Sequence, residues 1–202
     1  EQKDLLITGI NPSFNEKKDV NGILPFCFRE IVYNDHLKDN YWRNMRKMVY
    51  DALPGIDLRP RAAYLDIFYF RHKGQDAIRK EFIRFEKTND WRNFAIDQLE
   101  LTQYTIENVI KPKLIVVANK ESYAYWGKIE KKYVWMGYTF SPPEKTQYGE
   151  LCTITGLQSS PERINRDLKS TQLEGRQVLF SEYPAVGQPT AASLQTLLAQ
   201  VK

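Results

Sequence analysis

Cysteine and histidine are both scarce in this chain. Its 202 residues include two cysteines, Cys27 and Cys152, and two histidines, His36 and His72. Two cysteines are too few for a disulfide framework, an iron–sulfur cluster or an all-cysteine zinc site, and they suit a reducing, cytoplasmic setting. With so few histidines, a histidine-based metal site is disfavoured as well. We therefore expect a cytoplasmic protein without a metal centre.

The chain also lacks long apolar runs, internal repeats and low-complexity linkers. No apolar run approaches the roughly 20 residues that cross a bilayer, and the first residues do not resemble a signal peptide. A length of 202 residues suits one domain with a sizeable core. We expect a single domain over residues 1–202 that is monomeric and has no membrane partner.

Aromatic residues are abundant, and the charge balance is slightly basic. Phe, Trp and Tyr make up 13% of the residues, and the formal net charge is +4. Aromatic side chains suit a stacking surface, although most of them pack in cores, and a small positive charge permits a polyanionic partner without requiring one. Composition therefore allows a nucleic-acid partner.

Four apolar runs predict buried strands at residues 5–10, 62–70, 114–118 and 178–183. Segments with helical spacing separate them, which is typical of a mainly parallel four-stranded sheet in a three-layer α/β/α fold. Residues 133–140 and 148–154 predict an extra antiparallel strand pair. Helices are predicted at 163–169 and on two apolar stripes, which are Ile96, Leu99, Ile106, Val109 and Ile110, and Leu194, Leu197, Leu198 and Val201.

Polar and aromatic residues occur where these strands end. Asn11 follows the first strand, Asp66 lies in the second, and Tyr183 ends the fourth. Because ligands bind at the carboxyl ends of the strands in open α/β sheets, we expect these side chains to share one edge. An amide, a carboxylate and a phenol together can hold a flat polar heterocycle.

Five segments resemble, in order, motifs of the uracil-DNA glycosylase superfamily. Gly9 to Ser13 (Gly-Ile-Asn-Pro-Ser) is similar to the Gly-x-Asn-Pro-Gly motif of the mismatch-specific and single-strand-selective branches, and Gly22 to Phe26 is similar to the Gly-x-Pro-Phe element. Leu65 to His72 resembles the base-recognition strand of the thermophilic branch. Lys111 to Ala118 resembles the Lys-Pro-x element and its core strand, and Ser181 to Ala185 resembles the closing His-Pro-Ser or His-Pro-Ala motif.

The resemblance implies a uracil-DNA glycosylase-like fold and cleavage of an N-glycosidic bond in DNA, without a cofactor. A nucleotide flipped out of the stack would lose its damaged or deaminated base to water. Asn11 and Tyr183 would be the catalytic residues: Asn11 would orient the water, and Tyr183 would donate to the departing base. The base-binding residues would be Ile10, Pro12, Phe26 and Asp66, with Phe26 stacking on the ring.

The sequence departs from the family pattern at two positions. Asp66 stands where the thermophilic branch has Asn, and Tyr183 stands where the closing motif has His. An ionised carboxylate accepts the N–H of uracil but repels its carbonyl, so Asp66 argues against ordinary uracil selectivity. Asp66 could instead select an edge richer in donors, be protonated in a dry pocket, or be structural.

Structural roles remain open for the other candidates as well. Asn11 could form an Asx turn with its own backbone, and Tyr183 and Phe26 could simply pack in the core. Contacts with DNA, single-stranded or damaged, would come from a basic loop after the second strand and from residues next to the first and last motifs. Val186 or Gln188 would be the wedge residue that fills the gap left in the duplex by the flipped nucleotide. The candidate residues are Ser13, Arg71, His72, Lys73, Ala185, Val186 and Gln188.

Two other functions compete with base excision. A protein of the same fold could have lost catalysis and bind nucleic acid or nucleotides, which the residues at positions 66 and 183 would explain. A flavodoxin-like enzyme for small molecules is the third possibility. Against it, no Gly-x-Gly-x-x-Gly or Walker phosphate loop follows the first strand.

Overall fold

The computed structural model describes the chain in segments. These are residues 2–10, 27–36, 38–50, 55–70, 80, 89–129, 134–159, 163, 165, 167–182 and 188–201. Residues 89–92 are described by their backbone alone.

Four parallel strands form the centre of a mixed α/β fold. They are β1 (Leu5–Gly9), β2 (Ala62–Asp66), β3 (Leu114–Val117) and β7 (Gln177–Phe180), and they lie in the order β2-β1-β3-β7. The four predicted core strands are therefore confirmed. All four end earlier than predicted, at residues 9, 66, 117 and 180. Ile67 and Phe68 belong to the apolar run that predicted the second strand, but they are buried in the core beyond the end of β2.

Three further strands extend this sheet on one side. They are β4 (Tyr138–Phe140), β5 (Glu144–Thr146) and β6 (Gly149–Leu157). Strand β6 pairs antiparallel with β4, with β5 and also with β7, so the described strands form one seven-stranded sheet. The predicted antiparallel pair is confirmed, whereas β5 and the continuity with the parallel strands were not predicted.

One hydrophobic cluster lies on each face of the parallel strands. Alternate residues of β1 enter different clusters, with Leu6 on one face and Leu5 and Ile7 on the other. The first cluster includes residues of α3 (Asn89–Tyr104), of the π-helical segment Thr105–Ile110 that follows it and of α4 (Ser122–Trp126). The second includes residues of α1 (Phe28–Val32), α2 (Asn40–Val49) and α5 (Ala191–Gln200). A short 3-10 turn, Arg59–Arg61, precedes β2.

The helix before β3 confirms one prediction and corrects another. It ends at Lys111, the residue before Pro112. The φ of Lys111 is 48°, which lies in the left-handed region. Leu99 and Ile106 are buried as predicted, but Val109 is 48% exposed. A π-helical segment has more residues per turn than an α-helix, so Val109, three residues after Ile106, leaves the buried stripe, whereas Ile110, four residues after Ile106, remains in it.

The predicted short helix at residues 163–169 is wrong for the residues that the structure describes. Arg163 instead forms an isolated parallel β-bridge with Val134. Its side chain is buried against Gly137. In this segment, long-range packing with Val134 overrides the local helical tendency of the sequence. The terminal helix α5 is confirmed: Thr190 caps it by accepting a hydrogen bond from the backbone N–H of Ser193, and Leu194 and Leu198 are buried.

No helix among the described residues is long and apolar enough to cross a membrane.

The left-handed conformation of Lys111 yields a stability prediction. A side chain costs about 1 kcal/mol in this region, whereas glycine adopts it freely, so Lys111→Gly should raise the free energy of unfolding by about 0.5–1 kcal/mol. Urea unfolding measures the change. Lys145→Gly, in the exposed strand β5, is the control and should lower stability. Equal losses in both variants would contradict the prediction.

Candidate functional site

The candidate site lies where β1 and β2 end side by side. Gly9 is the register partner of Asp66. The pairing continues beyond the strands, because the backbone N–H of Ile67 donates to the Gly9 carbonyl at 3.2 Å and that of Phe68 donates to the Ile10 carbonyl at 2.9 Å. Asn11 is the next residue along the chain. The first motif and the Asp66 motif therefore leave the sheet at neighbouring positions.

Tyr64 and Asp66 lie on the same face of β2 because side chains two residues apart on a strand point the same way. The Tyr64 hydroxyl donates a hydrogen bond to Asp66 Oδ1 at 2.8 Å. It also lies 2.8 Å from the hydroxyl of Tyr41, which comes from α2. Three polar groups are thus joined in series, from the half-buried Tyr41 to a carboxyl that is 8% exposed.

Gly9 provides the space in which Tyr64 and Asp66 meet. A Cβ atom built on Gly9 would overlap both with Tyr64 Oη and with Asp66 Oδ1. The backbone of Gly9 does not have a positive φ, so the requirement for glycine here is space and not conformation. The glycine of the first motif therefore has a direct role at the Asp66 carboxyl.

Aromatic rings enclose Tyr64. The ring of Phe28 stacks on it with centroids 5.6 Å apart, and the ring of Trp42 meets it edge-on at 5.2 Å. Tyr41 is edge-on to Trp42 at 4.9 Å. We call Gly9, Phe28, Tyr41, Trp42, Tyr64 and Asp66 the Asp66 cluster. Helices α1 and α2 supply three of its members, so the cluster exists only when these helices pack on the sheet.

Burial changes the acidity of both polar groups of β2. It raises the pKa of Asp66 from 3.8 to about 7, although the hydrogen bond from Tyr64 acts in the opposite direction. Burial also raises the pKa of Tyr64 well above its ordinary value, and Tyr41 and Asp66 contribute to the same shift. Near neutral pH the Asp66 carboxyl can therefore be protonated or ionised, while Tyr64 keeps its proton.

Two other predicted site residues are described, and neither joins the Asp66 cluster. The Ile10 side chain packs in the hydrophobic cluster on the opposite face from Asp66. Gln188 donates through Nε2 to the Asn44 carbonyl of α2 at 2.9 Å, which ties its side chain to that helix. The remaining candidates lie outside the described residues: Asn11, Pro12, Ser13, Phe26, Arg71, His72, Lys73, Tyr183, Ala185 and Val186.

The ends of β3 and β7 form the other half of this edge. Lys120, just beyond β3, makes an ion pair with Glu182, just beyond β7. Both side chains are mostly exposed, so this pair adds little stability. Tyr123 lies edge-on to Phe180, and burial together with Glu182 and Glu150 raises the pKa of Tyr123 to about 12. The Tyr123 hydroxyl therefore acts as a neutral group.

No protein-family model matches this chain, and no curated protein matches it. A functional assignment therefore depends on the residues and their geometry. Among the described residues, no group of three or more His, Cys, Asp and Glu side chains could hold a metal ion.

Sequence reasoning missed Tyr64 and Tyr41. A signal for Tyr64 was present, because a tyrosine two residues before a strand carboxylate lies on the same face. Tyr41 gave no such signal, since it belongs to a helix that precedes β2 in the chain and its hydroxyl reaches that of Tyr64 only through tertiary packing.

The arrangement can read one hydrogen-bonding position of a ligand. Tyr64 donates to Oδ1, so Oδ2 is the oxygen with more capacity for a further partner. A neutral carboxyl with its proton on Oδ2 donates a hydrogen bond, and an ionised one accepts. The protonation state of Asp66 therefore determines which edge of a heterocycle the site can accept.

The contact between Gly9 and the two side chains of β2 is testable. Gly9→Ala should lower the free energy of unfolding by about 1–3 kcal/mol, because the added methyl group overlaps Tyr64 Oη and Asp66 Oδ1. In a Tyr64→Phe background the same change should cost less, since one overlapping atom is gone. Urea unfolding of the four proteins gives the coupling. An unchanged cost in the Tyr64→Phe background would contradict this geometry.

The raised pKa of Asp66 predicts how stability depends on pH. The folded protein binds the Asp66 proton more tightly than the unfolded chain, so this group lowers stability as the pH rises from about 4 to about 7. Asp66→Asn removes the effect. Relative to the wild type, it should gain roughly 2 kcal/mol of stability between about pH 5 and about pH 8.5 in urea unfolding.

The matched control for this measurement is Asp57→Asn. Arg59 lowers the pKa of Asp57 through a side-chain hydrogen bond, so the Asp57 carboxylate stabilises the fold at every pH above about 4 and loses this effect only at lower pH. Asp57→Asn should therefore lower stability by the same amount at about pH 5 and at about pH 8.5. If the stabilities of Asp66→Asn and Asp57→Asn, each relative to the wild type, changed with pH in the same way, the pH dependence could not be assigned to the raised pKa of Asp66.

Proposed function

We propose that this chain is a uracil-DNA glycosylase-like protein that hydrolyses the N-glycosidic bond of a damaged or deaminated base in DNA. The proposal includes the three-layer α/β/α arrangement of that superfamily. It also includes a cytoplasmic, monomeric protein that acts on flipped or single-stranded nucleotides without a cofactor.

The observation that carries the proposal is the meeting of two motifs at one sheet edge. Gly9 opens the first motif and is the register partner of Asp66 in the second strand motif. The strands that bear the motifs around residues 9, 66, 114 and 181 are adjacent and parallel. In open α/β sheets such an edge is where ligands bind. This order supports a common site for Asn11, Asp66 and Tyr183.

The reaction needs a positioned water and a stabilised leaving base. The water oxygen bonds to the anomeric carbon as the bond to the base nitrogen breaks, and the base departs with the electron pair. The proton that the attacking water loses passes through solvent to the base anion. Asn11 is proposed to orient the water, and an amide does so without accepting its proton. Phe26 is proposed to stack on the base, and Tyr183 to donate to the oxygen on which charge develops.

Asp66 is proposed to read the base through its protonation state. With Oδ1 accepting from Tyr64, a neutral carboxyl carries its proton on Oδ2 and can donate to a carbonyl of uracil, as the amide N–H of Asn does. The ionised form repels that carbonyl. Because burial raises the pKa of Asp66 to about 7, the neutral form is available near neutral pH.

A binding protein of the same fold that has lost catalysis is the second candidate. The hydrogen bond from Tyr64 to Asp66 favours it, because a carboxyl engaged by its own strand can be structural. Binding of abasic or single-stranded DNA without turnover would support this candidate. The salt dependence of that binding would measure the number of phosphate contacts.

Excision assays test the proposal directly. Single-stranded oligonucleotides that carry uracil, hypoxanthine or xanthine are incubated with excess protein, and abasic sites are detected by alkaline cleavage. We expect cleavage of at least one substrate, and Asn11→Ala should reduce its rate by about 100-fold or more through loss of water positioning. No cleavage of any of the three would overturn the activity.

The role of Asp66 predicts a pH profile. Uracil excision by the wild type should fall as the pH rises through about 7, because the neutral carboxyl that donates to the carbonyl disappears. Asp66→Asn supplies the amide at every pH, so its rate should be higher at alkaline pH and independent of this titration. If Asp66→Asn had the same pH dependence of uracil excision as the wild type, Asp66 would be excluded as the group that recognises the base.

A further inference from the structure

The buried carboxyl is connected to the protein surface by two tyrosine hydroxyls. Tyr64 Oη lies 2.8 Å from Asp66 Oδ1 and 2.8 Å from Tyr41 Oη. Tyr41 is half-buried, whereas Asp66 is 8% exposed. Each of the three groups can hold a proton, so hydrogen bonds can run along the series in either direction.

The charge of Asp66 determines that direction. An ionised carboxylate has no proton and can only accept, so Tyr64 must donate to it. The Tyr64 proton is then committed, and the Tyr41 hydroxyl must donate to the Tyr64 oxygen. When Asp66 carries a proton on Oδ1, that proton can be donated to Tyr64, and Tyr64 can donate to Tyr41. The series of hydrogen bonds from Asp66 through Tyr64 to Tyr41 therefore accommodates both charge states of the carboxyl without leaving a buried hydroxyl unsatisfied.

The direction also decides what Oδ2 presents. If Tyr64 donates to Oδ1, the proton of a neutral Asp66 lies on Oδ2, which becomes a donor. If Oδ1 donates to Tyr64, Oδ2 is a carbonyl oxygen and accepts. Among the described residues, Tyr41 and Asp66 act on the pKa of Tyr64, and Tyr64 acts on the pKa of Asp66.

We propose that Tyr64, supported by Tyr41, is a specificity-determining positioning residue that sets the protonation of Asp66 and thereby the base edge that Oδ2 reads. This inference rests on the proposed function of the site. Tyr64 acts through Asp66 and needs no contact with the base. Tyr41 acts only through Tyr64, because a hydroxyl that accepts a hydrogen bond becomes a stronger donor.

The test measures the Asp66 pKa directly by carbon-13 NMR of protein with labelled aspartate carboxyls. Asp66→Asn identifies the resonance, because its signal disappears. Tyr64→Phe removes a donor that favours the charged form, so the pKa should rise by roughly 0.5–1 pH unit, the equivalent of one hydrogen bond. Tyr41→Phe should give a smaller rise in the wild-type background and none in the Tyr64→Phe background.

Tyr148→Phe is the matched control. Tyr148 packs against the same hydrophobic cluster as Tyr64 but is not part of the hydroxyl chain, so its change should leave the Asp66 pKa unmoved. An unchanged pKa in Tyr64→Phe, or an equal effect of Tyr41→Phe in both backgrounds, would overturn the inference.

The excision profile then separates this inference from the proposed function. If the inference holds, the midpoint for uracil excision should move in Tyr64→Phe by the same amount and in the same direction as the NMR pKa. A shifted NMR pKa with no excision by any variant would overturn the glycosylase activity but not the influence of Tyr64 on the protonation of Asp66. If Tyr64→Phe excises uracil with an unshifted midpoint and its NMR pKa is also unshifted, this inference would be overturned and the glycosylase activity would stand.

Discussion

The close approach of β2 side chains to the backbone of Gly9 is the constraint on which the candidate site depends. Gly9 and Asp66 are paired in register, and the absence of a Cβ leaves room for the hydrogen bond between Tyr64 and Asp66. A carboxyl is thereby held in a largely apolar environment beneath aromatic rings. Removing water from a carboxyl disfavours its charged form and therefore raises the pKa of Asp66. The hydrogen bond from Tyr64 stabilises the charged form and partly offsets this effect.

This constraint connects the architecture to the chemistry. Parallel pairing brings the ends of β1 and β2 to one edge, and α1 and α2 cover Tyr64 with Phe28, Tyr41 and Trp42. Removing water from Asp66 makes its protonation sensitive to the few groups around it. In the proposed function, a neutral Asp66 carboxyl would supply a donor at the position where the thermophilic branch has an amide.

Local sequence patterns predicted the elements better than they predicted the neighbours of those elements. The four parallel strands and the helix ending at Lys111 follow from short apolar runs and from a proline, which act within a few residues. Errors occurred where distant packing decides the outcome. The π-helical segment exposes Val109, and Arg163 joins Val134 in a β-bridge. Of the predicted base-binding residues, Asp66 lies at the described edge, whereas Ile10 packs on the opposite face.

The sequence by itself determined the continuous apolar runs of the central strands and the spacing of Tyr64 and Asp66 on one face of β2, because strand formation and its two-residue period are local properties. Only the tertiary structure decided that β6 joins β7, that Gly9 faces Asp66, and that Tyr41 from a helix reaches Tyr64. The raised pKa of Asp66 belongs to the same category, since burial results from all the packed elements together and from no single segment.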